Sequence, residues 1–397
     1  MTGPLLDKHV VLGVTGSIAS YKAVDLASKL TQGGALVDTI LTYGATQFVT
    51  PLAFRSITHR PVVTDTFDPN SQFSIEHVAL AQQADIVVIA PATVNCIARL
   101  AVGLANDPLT TTVIATRAPL LVAPAMDAGM YEHPATQENL ARLRGRGVVI
   151  AGPAPGRLAS GLIGVGRLLE TPELLGYITA TLGRHGDLAG RTLVVSAGGT
   201  QEPIDPVRVI TNNSSGKMGY ALAEAARDRG ARAVLIAAPT GLPDPPLVKM
   251  VRVQTAQQMC DAVLSEMESA DVLIMAAAVA DYRPASAAEQ KIKKSADTLT
   301  IELVRTTDIL EAAAGNFVKV GFSAESENLI ANATEKVRRK GLDLIVANDI
   351  TDPDSGFGRD TNRVVFIDRQ LQVEELPVLT KYEVGHRILD RVRDLLG

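Results

Sequence analysis

Short β-branched runs alternate with longer amphipathic stretches along the whole chain, and this alternation limits the fold more than any other feature. Residues 10–14, 37–41, 86–90, 120–123 and 148–151 read as buried strands. Between them lie segments such as 19–32, whose apolar residues recur at helical spacing. Strands separated by helices form a parallel sheet covered on both faces. A second series runs through 192–196, 233–237, 272–275, 318–322, 344–347 and 364–367. Polar, glycine-rich residues 183–190 separate the two series, as a linker would. The 397 residues therefore read as α/β, in two domains over 1–185 and 191–397. Each begins strand, glycine turn, helix.

Composition removes several function classes. Lys and Arg number 38 against 43 Asp and Glu, a net charge of −5, which argues against a general nucleic-acid or membrane-surface binder. Two cysteines exclude a disulfide framework and any cysteine-rich metal or cluster site. No apolar run approaches the roughly 18–20 residues that span a bilayer, and residues 1–8 lack a signal-peptide core. The expectation is a cytoplasmic protein with small-molecule chemistry and neither nucleic acid nor membrane as partner. With aromatics at 4% and no Trp, its cores are built from Ala, Val, Leu and Ile.

The first glycine turn contains Gly13, Gly16, Ser17 and Lys22. Glycines let backbone approach a ligand, and helix N-terminal N–H groups attract phosphate. The turn is not GxGxxG, and Thr42 follows the next strand where a dinucleotide site would carry an acid. A hydroxyl there suits a mononucleotide phosphate. The next strand ends in Ala-Pro-Ala followed by Thr93, and a later one in Pro124-Ala125-Met126-Asp127, with Met130 close behind. Two methionines framing an acid can wall a cofactor ring or simply fill a core. His77 sits in Ser74-Ile75-Glu76-His77-Val78-Ala79-Leu80, and with six His in the chain one surface imidazole is unremarkable by itself.

These segments resemble the homo-oligomeric flavin-containing cysteine decarboxylases over residues 8–180. The resemblance implies bound FMN and oxidative decarboxylation of a peptide-like cysteine. Gly16, Ser17, Thr42 and Thr93 would hold the FMN phosphate and ribityl groups. Met126 and Met130 would lie by the ring or substrate, and His77 would be the base. The family's Asn falls on Asp127, and its proton-donating Cys falls on Ser160, within a clamp segment that keeps Gly161, Gly164, Gly166 and Arg167. Ionised Asp accepts hydrogen bonds but cannot donate them, so either Asp127 is protonated or the substrate contact is rearranged. A serine hydroxyl is a far weaker acid than a thiol.

In the second half a strand leads into Gly198-Gly199, and Asn212, Asn213, Ser214, Ser215, Gly216 and Lys217 precede a helix. The Gly-Lys pair is not a P-loop, because Met218 stands where Ser or Thr would bind magnesium. The polar run still suits an anion. Ala276–280 could read a base through backbone groups, with Asp281 beside them for ribose or metal. Lys336 and Lys340, four apart, share a helix face suited to a triphosphate.

This half resembles phosphopantothenate–cysteine ligase over about residues 190–390, through Asn-x-Ser-Ser-Gly-Lys-Met-Gly, Ala-Ala-Val-Ala-Asp-Tyr, Lys-Ile-Lys-Lys at 291–294 and Ala-Asn-Asp at 347–349. Together the halves resemble the bifunctional phosphopantothenoylcysteine decarboxylase and phosphopantothenate–cysteine ligase family of coenzyme A biosynthesis, and imply two three-layer Rossmann-like domains with mostly parallel sheets. The implied ligase activates 4′-phosphopantothenate with CTP, releases pyrophosphate, and passes the acyl group from its cytidylate to L-cysteine, with Mg²⁺ near Asp281. Asn212 would stabilise the acyl cytidylate and Lys291 would assist phosphate transfer. Ala277, Ala278, Asp281, Lys291, Thr306, Thr307, Asp308, Ile309, Phe322, Lys336 and Lys340 would contact CTP; the family has Asn-Pro at Thr306-Thr307. Trimeric flavin domains and dimeric ligase domains would combine as a homo-oligomer, a dodecamer. The alternatives are an active ligase with an impaired or purely flavin-binding N-terminal domain, and a nicotinamide dehydrogenase. The missing GxGxxG and ribose acid count against the last.

Overall fold

The computed structural model describes residues 3–66, 76–293, 298–325, 327–349 and 358–397. The chain divides into two compact units, Met1–Gly183 and Arg184–Gly397.

The first unit runs β1 (His9–Val14), α1 (Ser20–Gln32), β2 (Leu36–Leu41), α2 (Tyr43–Thr46), α3 (Pro51–Thr58), β3 (Val62–Val63), α4 (Glu76–Gln83), β4 (Ile86–Ala92), α5 (Val94–Val102), α6 (Pro108–Ala115) and β5 (Leu120–Pro124). It continues with α7 (Ala128–Glu132), α8 (Pro134–Gly145), β6 (Val149–Ile150), β7 (Ala154–Arg157), β8 (Ile163–Arg167) and α9 (Thr171–Gly183). Six strands form a parallel sheet in the order β3-β2-β1-β4-β5-β6. Alternate residues of β1 and β4 face opposite cores. Val10, Leu12, Ile86 and Val88 join α1, α3 and α9, while Val11, Val87 and Ile89 join α5, α6 and α8. That period-2 split of an all-apolar strand is the reason these runs read as continuously hydrophobic.

The second unit begins β9 (Thr192–Ala197), β10 (Gln201–Pro203), β11 (Val209–Thr211), α10 (Lys217–Arg227), β12 (Arg232–Ala237), β13 (Lys249–Arg252), α11 (Ala256–Met267), β14 (Val272–Met275), β15 (Tyr282–Pro284) and β16 (Leu303–Arg305). It ends α12 (Ile309–Ala312), β17 (Val318–Glu325), α13 (Leu329–Lys340), β18 (Leu344–Asp349), β19 (Thr361–Asn362), β20 (Val365–Asp368), β21 (Val373–Glu375), β22 (Leu379–Thr380) and α14 (Lys381–Leu396). Its sheet runs β13-β12-β9-β14-β17-β18-β20-β21. The first six strands repeat the order of the first unit and are parallel; β20 and β21 add an antiparallel edge. One core packs α10 and α14 on the sheet, the other α11, α12 and α13. Both units thus have the doubly wound arrangement in which ligands sit outside the carboxyl ends of the strands, where strand order reverses. Among the described residues no helix is long and apolar enough to cross a membrane.

Candidate active sites

In the first unit the reversal lies between β1 and β4. Gly16 and Ser17 leave β1, Thr42 follows β2, Thr93 follows β4, and Met126, Asp127 and Met130 follow β5, so all emerge at the same edge. Thr42, Thr93 and Asp127 are each extended and cap the next helix, accepting from Ala45 N at 3.3 Å, Cys96 N at 3.4 Å and Gly129 N at 3.1 Å. Thr15, whose role the sequence did not reveal, ties two of these loops together. Its Oγ1 donates to Pro91 O at 2.8 Å and accepts from Thr93 N at 3.0 Å.

These residues fit a flavin phosphate. A Cβ on Gly16 would lie 2.8 Å from the backbone carbon of Gly44, so only glycine allows the two loops to close together. Helix α1 begins without a side-chain cap, and its first N–H groups turn back on the loop, Ser20 N donating to Ser17 O at 2.9 Å and Lys22 N to Ala19 O at 3.0 Å. Ile18, Tyr43 and Met130 are exposed at the same loops, apolar surface suited to a flat ring or a second subunit.

The hairpin β7–β8 crosses to this edge. Met126 N donates to Gly166 O at 3.0 Å. A Cβ on Gly166 would stand 2.2 Å from Met126 O, so the approach requires glycine. The hairpin tip then brings Ser160 onto Asp127, with Oγ donating to Oδ2 at 2.6 Å. The Ser160 hydroxyl, then the Gly129 N–H, hold the Asp127 carboxyl below its ordinary range. The Ser160 contact favours the charged form of Asp127, in line with the rearranged substrate contact rather than the protonated one. The two departures from the family pattern touch each other.

His77 is the second residue of α4, half-buried, on a helix that packs against α6. Ser74 and Ile75 of its motif lie outside the described residues. Cys96 is buried on α5, and burial pushes its thiol up to about 12. Burial also pushes Cys260 up. Neither thiol is a ready proton donor.

In the second unit a cavity of ≈ 290 Å³ opens at the ends of β14, β17 and β18. Ala277, Ala278, Asp281, Thr306, Thr307, Asp308, Ile309, Phe322, Lys336 and Lys340 all line it, as the sequence reading expects of a nucleotide site. Its floor is cross-tied. Ala278 N donates to Gly198 O at 2.8 Å, Ala280 N to Thr200 Oγ1 at 3.0 Å, and Thr306 Oγ1 to Ala280 O at 2.6 Å. Asp308 caps α12 and pairs with Lys340 Nζ at 2.6 Å. Lys336 Nζ reaches Ser323 Oγ at 3.4 Å. Burial, then the Lys340 charge, push Lys336 below the usual lysine range.

Two expected residues stand outside the lining. Asn212 is joined to it, because its Nδ2 donates to Ala278 O at 3.2 Å. Lys291 is exposed, on a loop anchored through its neighbour. Buried Asp205, 3% exposed, accepts from Ile292 N at 3.1 Å, and Arg208 Nη2 donates to Ile292 O at 3.0 Å. Arg208 first, then backbone N–H groups, hold Asp205 far below the usual carboxylate range. Lys294 lies outside the described residues. Lys217, Asn348, Asn362 and Lys381 also line the cavity without having been assigned a role from sequence. One signal did exist. Lys381 sits inside the capping box Thr380-x-x-Glu383, at a helix end that disfavours a cation.

Two families match the two units in turn. The flavoprotein family covers residues 2–183, and the C-terminal domain family of DNA/pantothenate metabolism flavoproteins covers 188–396. Fold and site therefore define a flavoprotein unit joined to a pantothenate-metabolism unit. The Coenzyme A biosynthesis bifunctional protein CoaBC of Vibrio vulnificus (strain YJ016) is 42% identical over 399 residues, spanning 99% of this chain and 99% of its own. That of Bacillus subtilis (strain 168) is 43% identical over 397 residues, 98% of each. A crystal structure of the C-terminal domain of a protein of that name is 41% identical, with a TM-score of 0.46, and covers 53% of this chain and 98% of its own. The chain belongs to the family of the bifunctional coenzyme A biosynthesis proteins, enzymes with phosphopantothenate–cysteine ligase and phosphopantothenoylcysteine decarboxylase activities. Agreement through both halves does not favour a dehydrogenase or a ligase with a passive flavin unit.

Proposed function

We propose that the second unit, over residues 191–397, ligates cysteine to 4′-phosphopantothenate at the expense of CTP, and that the first, over 1–185, decarboxylates the product with FMN. The cavity at the ends of β14, β17 and β18 carries this reading, because all the residues expected to contact CTP except Lys291 converge there from four separate chain segments.

A carboxylate is a poor acyl donor and must be activated. The substrate carboxylate attacks the α-phosphate of CTP, pyrophosphate leaves, and the cysteine amine displaces CMP to form the amide. Lys336 and Lys340 place positive charge where phosphate charge develops. Asn212 aims its amide at the loop carrying Ala278 and stabilises the acyl cytidylate. Lys291 swings in from the Asp205-anchored loop to assist transfer. Among the described residues no three His, Cys, Asp or Glu side chains form a metal cluster. Asp281, which lines the cavity, would hold a Mg²⁺ together with the substrate phosphates.

When bound, FMN supplies two-electron redox chemistry at the sulfur-bearing carbon, so that CO₂ can leave. Gly16, Ser17, Thr42 and Thr93 hold its phosphate and ribityl chain, Met126 and Met130 border its ring or the substrate, and His77 removes the substrate proton. Ser160 and Asp127 close the site as a hydrogen-bonded pair. The exposed apolar loops around the cradle support assembly into a homo-oligomer, a dodecamer of trimeric flavin units and dimeric ligase units. We place the protein in the cytoplasm.

Mass spectrometry of products formed from 4′-phosphopantothenate, cysteine, CTP and Mg²⁺ tests the scheme. Phosphopantetheine and pyrophosphate are expected from a yellow protein. Phosphopantothenoylcysteine as end product would remove the decarboxylation step, and pyrophosphate that forms without phosphopantothenate would remove the acyl cytidylate.

A further inference from the structure

Among the described residues four lysines line the second-unit cavity: Lys336 and Lys340 on α13, Lys217 on α10 and Lys381 on α14. The last two each occupy the first position of a helix, next to the positive end of its dipole. A cation there is unfavourable unless an anion shares the place. For Lys217 the turn at 358–360 supplies it. Lys217 Nζ donates to Gly358 O at 2.9 Å and to Asp360 Oδ1 at 2.7 Å. Lys381 Nζ donates to Arg359 O, and its backbone N to Asp360 O at 3.0 Å. Lys381 is 6% exposed, and burial, then the Lys217 charge, push its pKa down. The Asp360 side chain, by contrast, is 86% exposed, so it can leave without unpacking anything. Ser214, Ser215 and Gly216 line the same cavity, and α10 starts with no side-chain cap. Ser214, Ser215, the start of α10 and two ammonium groups thus line one end of the cavity, where Lys217 is held by an exposed, displaceable carboxylate.

We propose that Lys217 and Lys381 form a phosphate clamp at the α10 end of the cavity, in which Asp360 is the resident anion that a phosphate group displaces. The proposal rests on the ligase reading above and adds the pocket's second cationic pair, with Asp360 in competition with substrate. A phosphate there comes either from the nucleotide's terminal phosphates or from the phosphate ester of the pantothenate substrate.

Equilibrium binding to the full-length protein separates these sources. The ligands are CTP, CMP, 4′-phosphopantothenate and pantothenate, each titrated into wild type, Lys217→Met, Lys381→Met and Asp360→Asn. Removing one charge-assisted hydrogen-bond donor should weaken the clamped ligand about tenfold and leave its phosphate-poor analogue unchanged. Asp360→Asn should tighten the same ligand, because the competing charge is gone. Loss confined to CTP assigns the clamp to the nucleotide tail; loss confined to 4′-phosphopantothenate assigns it to the acyl substrate. Lys217, on the cavity rim, keeps the test alive should Lys381→Met fold poorly. If both lysine variants bind every ligand as wild type does, or if Asp360→Asn weakens binding as they do, the clamp is wrong. If wild type binds CTP no better than CMP while Lys217→Met still loses 4′-phosphopantothenate, the clamp stands and the CTP reading falls.

Discussion

Ser160 and Asp127 are separate oddities in the sequence and one contact in the structure. An ionised Asp127 raises the pKa of any acid placed beside it. Ser160→Cys alone should therefore give a thiol too weakly acidic to help, while Ser160→Cys combined with Asp127→Asn should speed phosphopantetheine formation beyond either single change. Product ratios by mass spectrometry check this, and purely additive variants would count against a coupled pair. The sign of the pH effect follows from the lowered Asp127 pKa. The bond's contribution is present above the ordinary Asp value of about 3.9 and is lost as pH falls through the lower folded value. The melting difference between wild type and Ser160→Ala should thus stay flat from about pH 5 to about pH 9 and fade only in acid. Lys336 behaves in the opposite sense. Its folded pKa is depressed by burial and Lys340, so its charge costs stability below that value, and the cost is relieved as pH rises toward the unfolded lysine value. Lys336→Met should raise the melting midpoint near neutrality by about 2 °C while weakening CTP binding, a trade of stability for function.

Single elements carry the site by close approach. Strand β8 lies against residues 126–128 only because Gly166 and Gly164 lack side chains; an added Cβ would meet Met126 O at 2.2 Å and Ala128 Cβ at 2.7 Å. Gly166→Ala should cost about 1–3 kcal/mol, expose the hairpin tip to protease, and abolish decarboxylation while pyrophosphate release from CTP continues. Protease mapping with product analysis checks all three. Most of this level was legible beforehand. The strands are buried on both faces, so each appears as a bare apolar run, and the runs fell where the sheets are. The short ribbons β10–β11, β15–β16 and β19–β22 were not legible, because two or three residues carry no periodicity. Lys381 was legible only as a cation misplaced in a helix cap, since its side-chain contact comes from a turn 22 residues earlier. Asp205 was equally silent: a turn acid by pattern, it anchors the Lys291 loop from residues far ahead in the chain.

At the scale of the whole molecule, the same strand order appears twice, and each unit has hydrophobic clusters of its own on both faces of its sheet. Each unit carries a residue cluster at the carboxyl ends of its own strands: the first cradle draws on β1, β2, β4 and β5, the second cavity on β14, β17 and β18. On the proposed function, we expect the intermediate joining the two reactions to be a released, diffusible product. Two inactive full-length variants should therefore complement each other. His77→Asn should consume CTP and accumulate phosphopantothenoylcysteine. Asn212→Ala should make no phosphopantothenoylcysteine from phosphopantothenate, yet decarboxylate it when it is added. Mixed in equal amounts, the pair should restore phosphopantetheine, with a lag that shortens as total protein rises, because the intermediate must build up in solution before the second site sees it. Time courses by mass spectrometry read both the product and the lag. A mixture that stays inactive while each variant keeps its own half-reaction would mean that the intermediate passes only within one chain, and the independence of the two units would have to be abandoned.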